Sequence, residues 1–111
     1  RVYYVLEIND HSDVEILLSL SAQAKKRAFL IEFLNWNNPE QWNNEQQKTD
    51  ITNINNAGMK TFAPTSNKKV EATVQNHLDI YAQGFDVVYS YNLENANNAR
   101  KQVNTQRGLS D

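Results

Sequence analysis

The sequence predicts an α/β fold: four consecutive β/α units with parallel strands. Three observations predict it. Four β-rich runs alternate with four amphipathic stretches along the 111 residues. Gly58 and Gly84 stand where helices should stop, and β-formers follow each of them. The crossovers between runs are long enough for parallel pairing rather than hairpins. Two architectures accept this pattern, one half of a (β/α)8 TIM barrel and a small open doubly wound sheet.

The elements follow in order. Residues 2–8 alternate β-formers and aromatics and read as a first strand, ending in Glu7-Ile8-Asn9-Asp10-His11. Ser12 with Glu15 has the form of a capping box. Val14, Leu17, Leu18 and Ser21 or Ala22 then trace one helical face to the basic end Lys25-Lys26-Arg27. Residues 28–34 form a short apolar strand interrupted by Glu32. A long loop follows, with Trp36 and Trp42 among asparagines. A modest helix starts at Glu45 or Thr49 and closes at Gly58, carrying Ile51 and Ile54 on one face. Residues 59–65 read as strand three, with Pro64 near its end, where a missing ladder donor is tolerated. Asn67 caps the next helix in this reading, which places Val70, Val74, His77, Leu78 and Tyr81 on one stripe. Residues 85–91 form strand four. Asn92 caps a last helix marked by Leu93, Ala96 and Val103, which dies out before Gly108.

The charged residues inside strands help to choose between the two architectures. In a doubly wound sheet both faces lie under helices, so Glu7 and Glu32 would meet an apolar layer at a cost of several kcal/mol unless paired. In a barrel, inward positions near the carboxy-terminal mouth are where such carboxylates belong. The pattern therefore favours half a barrel. The chain is read as a single unit over residues 1–111, and its opening directly in a strand suits a mature terminus or a fragment.

Composition excludes several functions. Eleven basic residues against 13 acidic give a net charge of −2, and no basic face emerges, so no nucleic-acid partner is expected. With no cysteine there is neither a disulfide framework nor a thiolate zinc site. No apolar run approaches the roughly 20 residues that span a bilayer. P-loop, Gly-x-Gly-x-x-Gly and His-x-x-x-His patterns are absent, and no serine nucleophile is indicated.

Gly84-Phe85-Asp86-Val87-Val88-Tyr89-Ser90 resembles the Gly-x-Asp-Gly-Ile-x-Thr pattern of the final strand in the TIM-barrel phosphodiesterases, the glycerophosphodiester phosphodiesterases and phosphatidylinositol-specific phospholipase C-like proteins. Ala57-Gly58-Met59-Lys60-Thr61-Phe62 with Pro64-Thr65-Ser66-Asn67 is similar to the preceding strand, with Pro64 where the family has tryptophan in Trp-Thr-x-Asn. Glu7-Ile8-Asn9 resembles the Glu-Ile-Lys motif whose glutamate binds the metal, with Asn9 in the lysine position. The similarity is best over residues 51–95. The His-Arg-Gly signature belongs to an amino-terminal half not contained in this chain. The resemblance thus implies the carboxy-terminal half of a phosphodiester hydrolase of lipid metabolism. It also implies a lipid-headgroup substrate and a second chain or amino-terminal segment to complete the barrel.

Several residues are candidates for the chemistry. Glu7 and Glu32, with Asn9 and Asp10, offer the oxygens that Mg²⁺ or Ca²⁺ takes; the alternative is a solvent-facing or ion-paired role. His11, just past a strand end, is placed for acid or base catalysis of phosphodiester cleavage, or is a surface histidine without a role. Trp36 either meets a lipid or ring-shaped substrate or pins its loop to the body, and Trp42 shares both readings. Thr65, Ser66, Asn67, Ser90, Tyr91 and Asn92 lie at strand ends that start helices, where free N–H groups and hydroxyls can hold phosphate. Capping alone accounts for Asn67 and Asn92. His77, on the buried stripe of a helix, is expected to be a core histidine away from the rim.

Overall fold

The computed structural model describes residues 2–110; Arg1, the opening residue of the first β-rich run, lies outside them. The described residues form β1 (Tyr4–Ile8), α1 (His11–Ser19), α2 (Ala22–Arg27), β2 (Ala28–Phe33), α3 (Asn44–Asn56), β3 (Lys60–Pro64), α4 (Val74–Gln83), β4 (Val87–Tyr89) and α5 (Leu93–Gln106). All strand pairs are parallel, and the sheet order is β1-β2-β3-β4. A doubly wound sheet reverses its order at a switch point. Here the order simply follows the chain, as it does around a barrel wall.

This winding leaves the two faces of the sheet unlike. Ile8, Ile31, Phe33 and Ala63 belong to the buried core with Val14, Leu17, Ile51, Ile54, Met59, Ile80 and Phe85, and Leu6 and Val88 pack against it. The alternate positions, Val5, Glu7, Leu30, Glu32, Lys60, Phe62, Val87 and Tyr89, stand on the other face and outside that core. Among the described residues no helix lies over this face as a whole: Val5, Val87 and Tyr89 are exposed and Leu30 is half-buried, although Phe62 is buried. The cross-strand register aligns Glu7 with Glu32 and Phe62, and Phe62 with Val87.

Local chemistry shifts several boundaries from the sequence expectation. The first helix is two helices. Leu20 turns to an extended ψ of 156°, the Ser19 hydroxyl donates to the Ile16 carbonyl at 2.6 Å, and Ser21 caps α2 by accepting from the Ala24 N–H at 3.1 Å. Serine side chains here offer the backbone local partners that compete with helix continuation. The cap of α1 is Asp10 rather than Ser12. Its carboxylate accepts from the Asp13 N–H at 3.2 Å and the Ser12 hydroxyl at 2.6 Å, bonds that hold the Asp10 pKa below its usual value.

The cap of α4 is Thr73, six residues beyond Asn67, and its Oγ1 accepts from the Asn76 N–H at 3.1 Å. Residues 67–73 run as turns, which leaves Val70 fully in solvent. Gly84 ends α4 at φ +103°, in the left-handed region that glycine enters without strain. At the other end of the strands, Asp86 Oδ2 accepts from Asn55 Nδ2, the Thr61 N–H and the Thr61 hydroxyl at 2.7, 2.9 and 3.1 Å, which ties α3, β3 and the start of β4 together.

Candidate functional site

The carboxy-terminal ends of the strands carry a polar cleft of about 460 Å³ on the uncovered face, lined by Glu32, Leu34, Pro64, Thr65, Asn67, Tyr89 and Tyr91. It lies where strand ends of a parallel sheet place ligand groups. Beside it, Asn35, Trp36, Asn37, Thr65, Ser66, Glu71 and Asn76 line a second recess of about 340 Å³. A third cleft, with Lys25, Lys26 and Phe29, sits at the opposite end of the strands.

Glu7 and Glu32 are direct cross-strand partners in β1 and β2. Glu32 is half-buried, whereas Glu7 is exposed. Burial first, and then the neighbouring Glu7 charge and a hydrogen bond with that carboxyl, push the Glu32 pKa above its ordinary value. Two carboxylates in this relation relieve their repulsion by sharing a proton or a cation. Among the described residues, no group of three or more His, Asp or Glu side chains is arranged to hold a metal ion.

His11 opens α1 and faces the helix layer, outside the cleft. Its Nδ1 lies 2.9 Å from Asp50 Oδ2 of α3, and its Nε2 lies 2.9 Å from Glu15. Asp50 is buried and also accepts from Gln46 Nε2 at 3.0 Å. The bond with Asp50, reinforced by Glu15, raises the His11 pKa. This is an anchored, half-exposed imidazole whose outer nitrogen meets a solvent-facing glutamate.

The two tryptophans are buried and their indole N–H groups are satisfied. Trp36 donates to the Pro64 carbonyl at 2.9 Å and meets Phe85 edge-on, while Trp42 donates to the Leu34 carbonyl at 3.0 Å and stacks on Phe33 at 4.9 Å. Both pin the long loop to the body. Trp36 also lines the second recess.

The remaining rim residues, Asn67 excepted, are held by local hydrogen bonds. The Thr65 N–H donates to the Tyr89 carbonyl at 2.9 Å, and Thr65 Oγ1 accepts from the Tyr91 N–H at 3.1 Å. Asn92 caps α5 by accepting from the Asn95 N–H, and its Nδ2 donates to the Lys69 carbonyl. Asn67 is an exposed wall of the cleft. Ser90 Oγ accepts from the Asn92 N–H at 3.0 Å and lies 2.7 Å from His77 Nε2.

That last contact corrects the expectation that His77 lies away from the rim. With α4 starting at Val74, His77 falls in the opening turn and so beside the strand ends. Its Nδ1 lies 2.7 Å from the Thr73 carbonyl, so both ring nitrogens are engaged, and the ring is buried. The sequence signal that could have found this was Thr73 itself, a cap residue immediately before an apolar-periodic run. Tyr89, which the sequence did not single out, and Tyr91, which it placed at a strand end, carry alternate positions of the strand-four run into the cleft. Comparison with protein-family models, with characterised proteins and with solved structures finds no match to this chain.

Proposed function

We propose that this chain is one half of a (β/α)8 phosphodiester hydrolase acting on phospholipid-derived phosphodiesters with a divalent cation. The single observation that carries the reading is the in-register Glu7–Glu32 pair on the uncovered face, next to a polar rim cleft. Glu7 and Glu32 would hold Mg²⁺ or Ca²⁺ by carboxylate oxygens. Such a cation takes six or more oxygens, so water, substrate and the second half supply the others. When bound, it would polarise the phosphoryl oxygen and neutralise developing charge.

Thr65, Asn67, Tyr89 and Tyr91 shape the pocket for the headgroup, with Ser90 and Asn92 setting the positions of its wall. The groups that attack and protonate belong to the second half, so the 111-residue chain is inactive alone. Calorimetric titration with Ca²⁺ and with Mg²⁺ tests the cation. Heat of binding is expected for the native chain and none for the Glu7→Gln, Glu32→Gln double variant. Equal binding by both proteins sinks the assignment. Hydrolysis of glycerophosphocholine by the chain alone overturns the requirement for a second half.

A further inference from the structure

We propose that the uncovered face is closed by a second copy of this chain, with β1 of each copy pairing in parallel with β4 of the other. This goes beyond the hydrolase reading and stands without it. Self-pairing is what covers the face when no other half is supplied.

The chain exposes 7011 Å², whereas a compact monomer of its mass exposes about 6,300 Å². The excess is close to the roughly 800 Å² per partner that a standard stable interface buries. The radius of gyration agrees: 14.4 Å against about 13 Å for a compact domain of this length. The shape is that of a body with one wall missing.

Where the excess lies identifies the occupant. Val5, Val87 and Tyr89 are exposed on this face and its two edges, with half-buried Leu30 and buried Phe62 between them across the sheet. Beside the free edge of β1, Leu6, Ile8, Ile16, Leu17 and Leu20 line a groove toward α1, with Glu7, Asn9 and Asp13 as its polar lining. Tyr4–Ile8 carries no lysine, no proline and only one charge, so nothing on that edge resists pairing.

The partner must therefore bring a strand to each edge and cover the face between them, where Glu7, Glu32 and Lys60 stand among the apolar side chains. A two-fold rotation along the strands does this with the chain's own parts. It keeps all strands parallel, sets β4 beside the partner's β1 twice over, and brings the strand count to the eight that close a barrel. Because one rotation closes the assembly, it stops at two copies.

Sedimentation equilibrium of the 111-residue chain tests the proposal, with two edge variants, Val5→Glu and Val87→Lys. The expected species is twice the 12.8 kDa of one chain. Each variant alone should dissociate at least about tenfold more readily, since an unpaired charge is then buried at each seam. Both positions are exposed in the single chain, so helical circular dichroism should be retained. Mixing the variants should restore the dimer, because one seam is then native and the other pairs glutamate with lysine. A monomer at every concentration, a dimer that neither substitution weakens, or a mixture that does not reassociate overturns the proposal. None of these outcomes bears on the cation titration, so the two readings fail separately.

Discussion

His77 Nε2 and Ser90 Oγ lie 2.7 Å apart, joining the first turn of α4 to the chain between β4 and α5. The Thr73 carbonyl can only accept, so in the neutral ring Nδ1 carries the hydrogen and Nε2 accepts from the Ser90 hydroxyl. That hydroxyl also receives the Asn92 N–H and lies 3.0 Å from the Asn92 carbonyl. One buried imidazole thus organises the start of two helices at the rim.

Replacing His77 by alanine should cost about 2–3 kcal/mol, because it leaves a cavity and unpaired polar groups. Ser90→Ala should cost about 1 kcal/mol, and the double variant less than the sum. Urea unfolding of the three variants measures this. Strict additivity would mean the contact carries no coupling.

The Glu7–Glu32 pair should make stability depend on pH in one direction. The folded Glu32 pKa is raised. Its contribution is therefore fully present below the ordinary carboxyl value and is lost as pH rises through the folded value. Glu32→Gln removes the charge while keeping the shape. It should be more stable than the native chain at neutral pH, and the difference should vanish near about pH 4. Thermal unfolding of both proteins across that range checks the sign.

His11 also has a raised pKa, from Asp50 first and Glu15 second. The protonated imidazole contributes stability that is complete below the ordinary histidine value and is lost as pH rises through the folded one. Proton NMR titration should place the His11 ring above 6.5. Asp50→Asn should bring it down, and a ring that does not move would show that Asp50 is not the cause.

Asp86 bridges three elements while remaining exposed itself. Asp86→Ala withdraws the acceptor from the Thr61 N–H and hydroxyl and from Asn55. The expected loss is about 1–3 kcal/mol, read from denaturant unfolding, with the rim cleft at the far end of the strands unchanged.

Much of the fold was legible in the chain. Alternation of β-formers with apolar stripes at helical spacing marks four β/α units, and Gly84 ends α4 because a positive φ is needed there. Glu7 and Glu32 inside apolar strands pointed to a face without helices, since burying a lone carboxylate under them is costly. Local patterns could not rank competing caps: Ser12 against Asp10, or Asn67 against Thr73. Each side chain is chemically able to cap. Which one does depends on where the preceding strand delivers the chain.

By itself, the sequence determined the alternation of strands and helices and the two unlike faces of the sheet, though not the break of the first helix into two, because periodicity and side-chain polarity are local properties. Only the tertiary structure decided that Glu7 faces Glu32, that His11 holds Asp50 and that His77 reaches Ser90. The last two pairs are 39 and 13 residues apart in the chain. Strand register and helix start positions bring them together, and both are set by packing against the whole sheet rather than by any one segment.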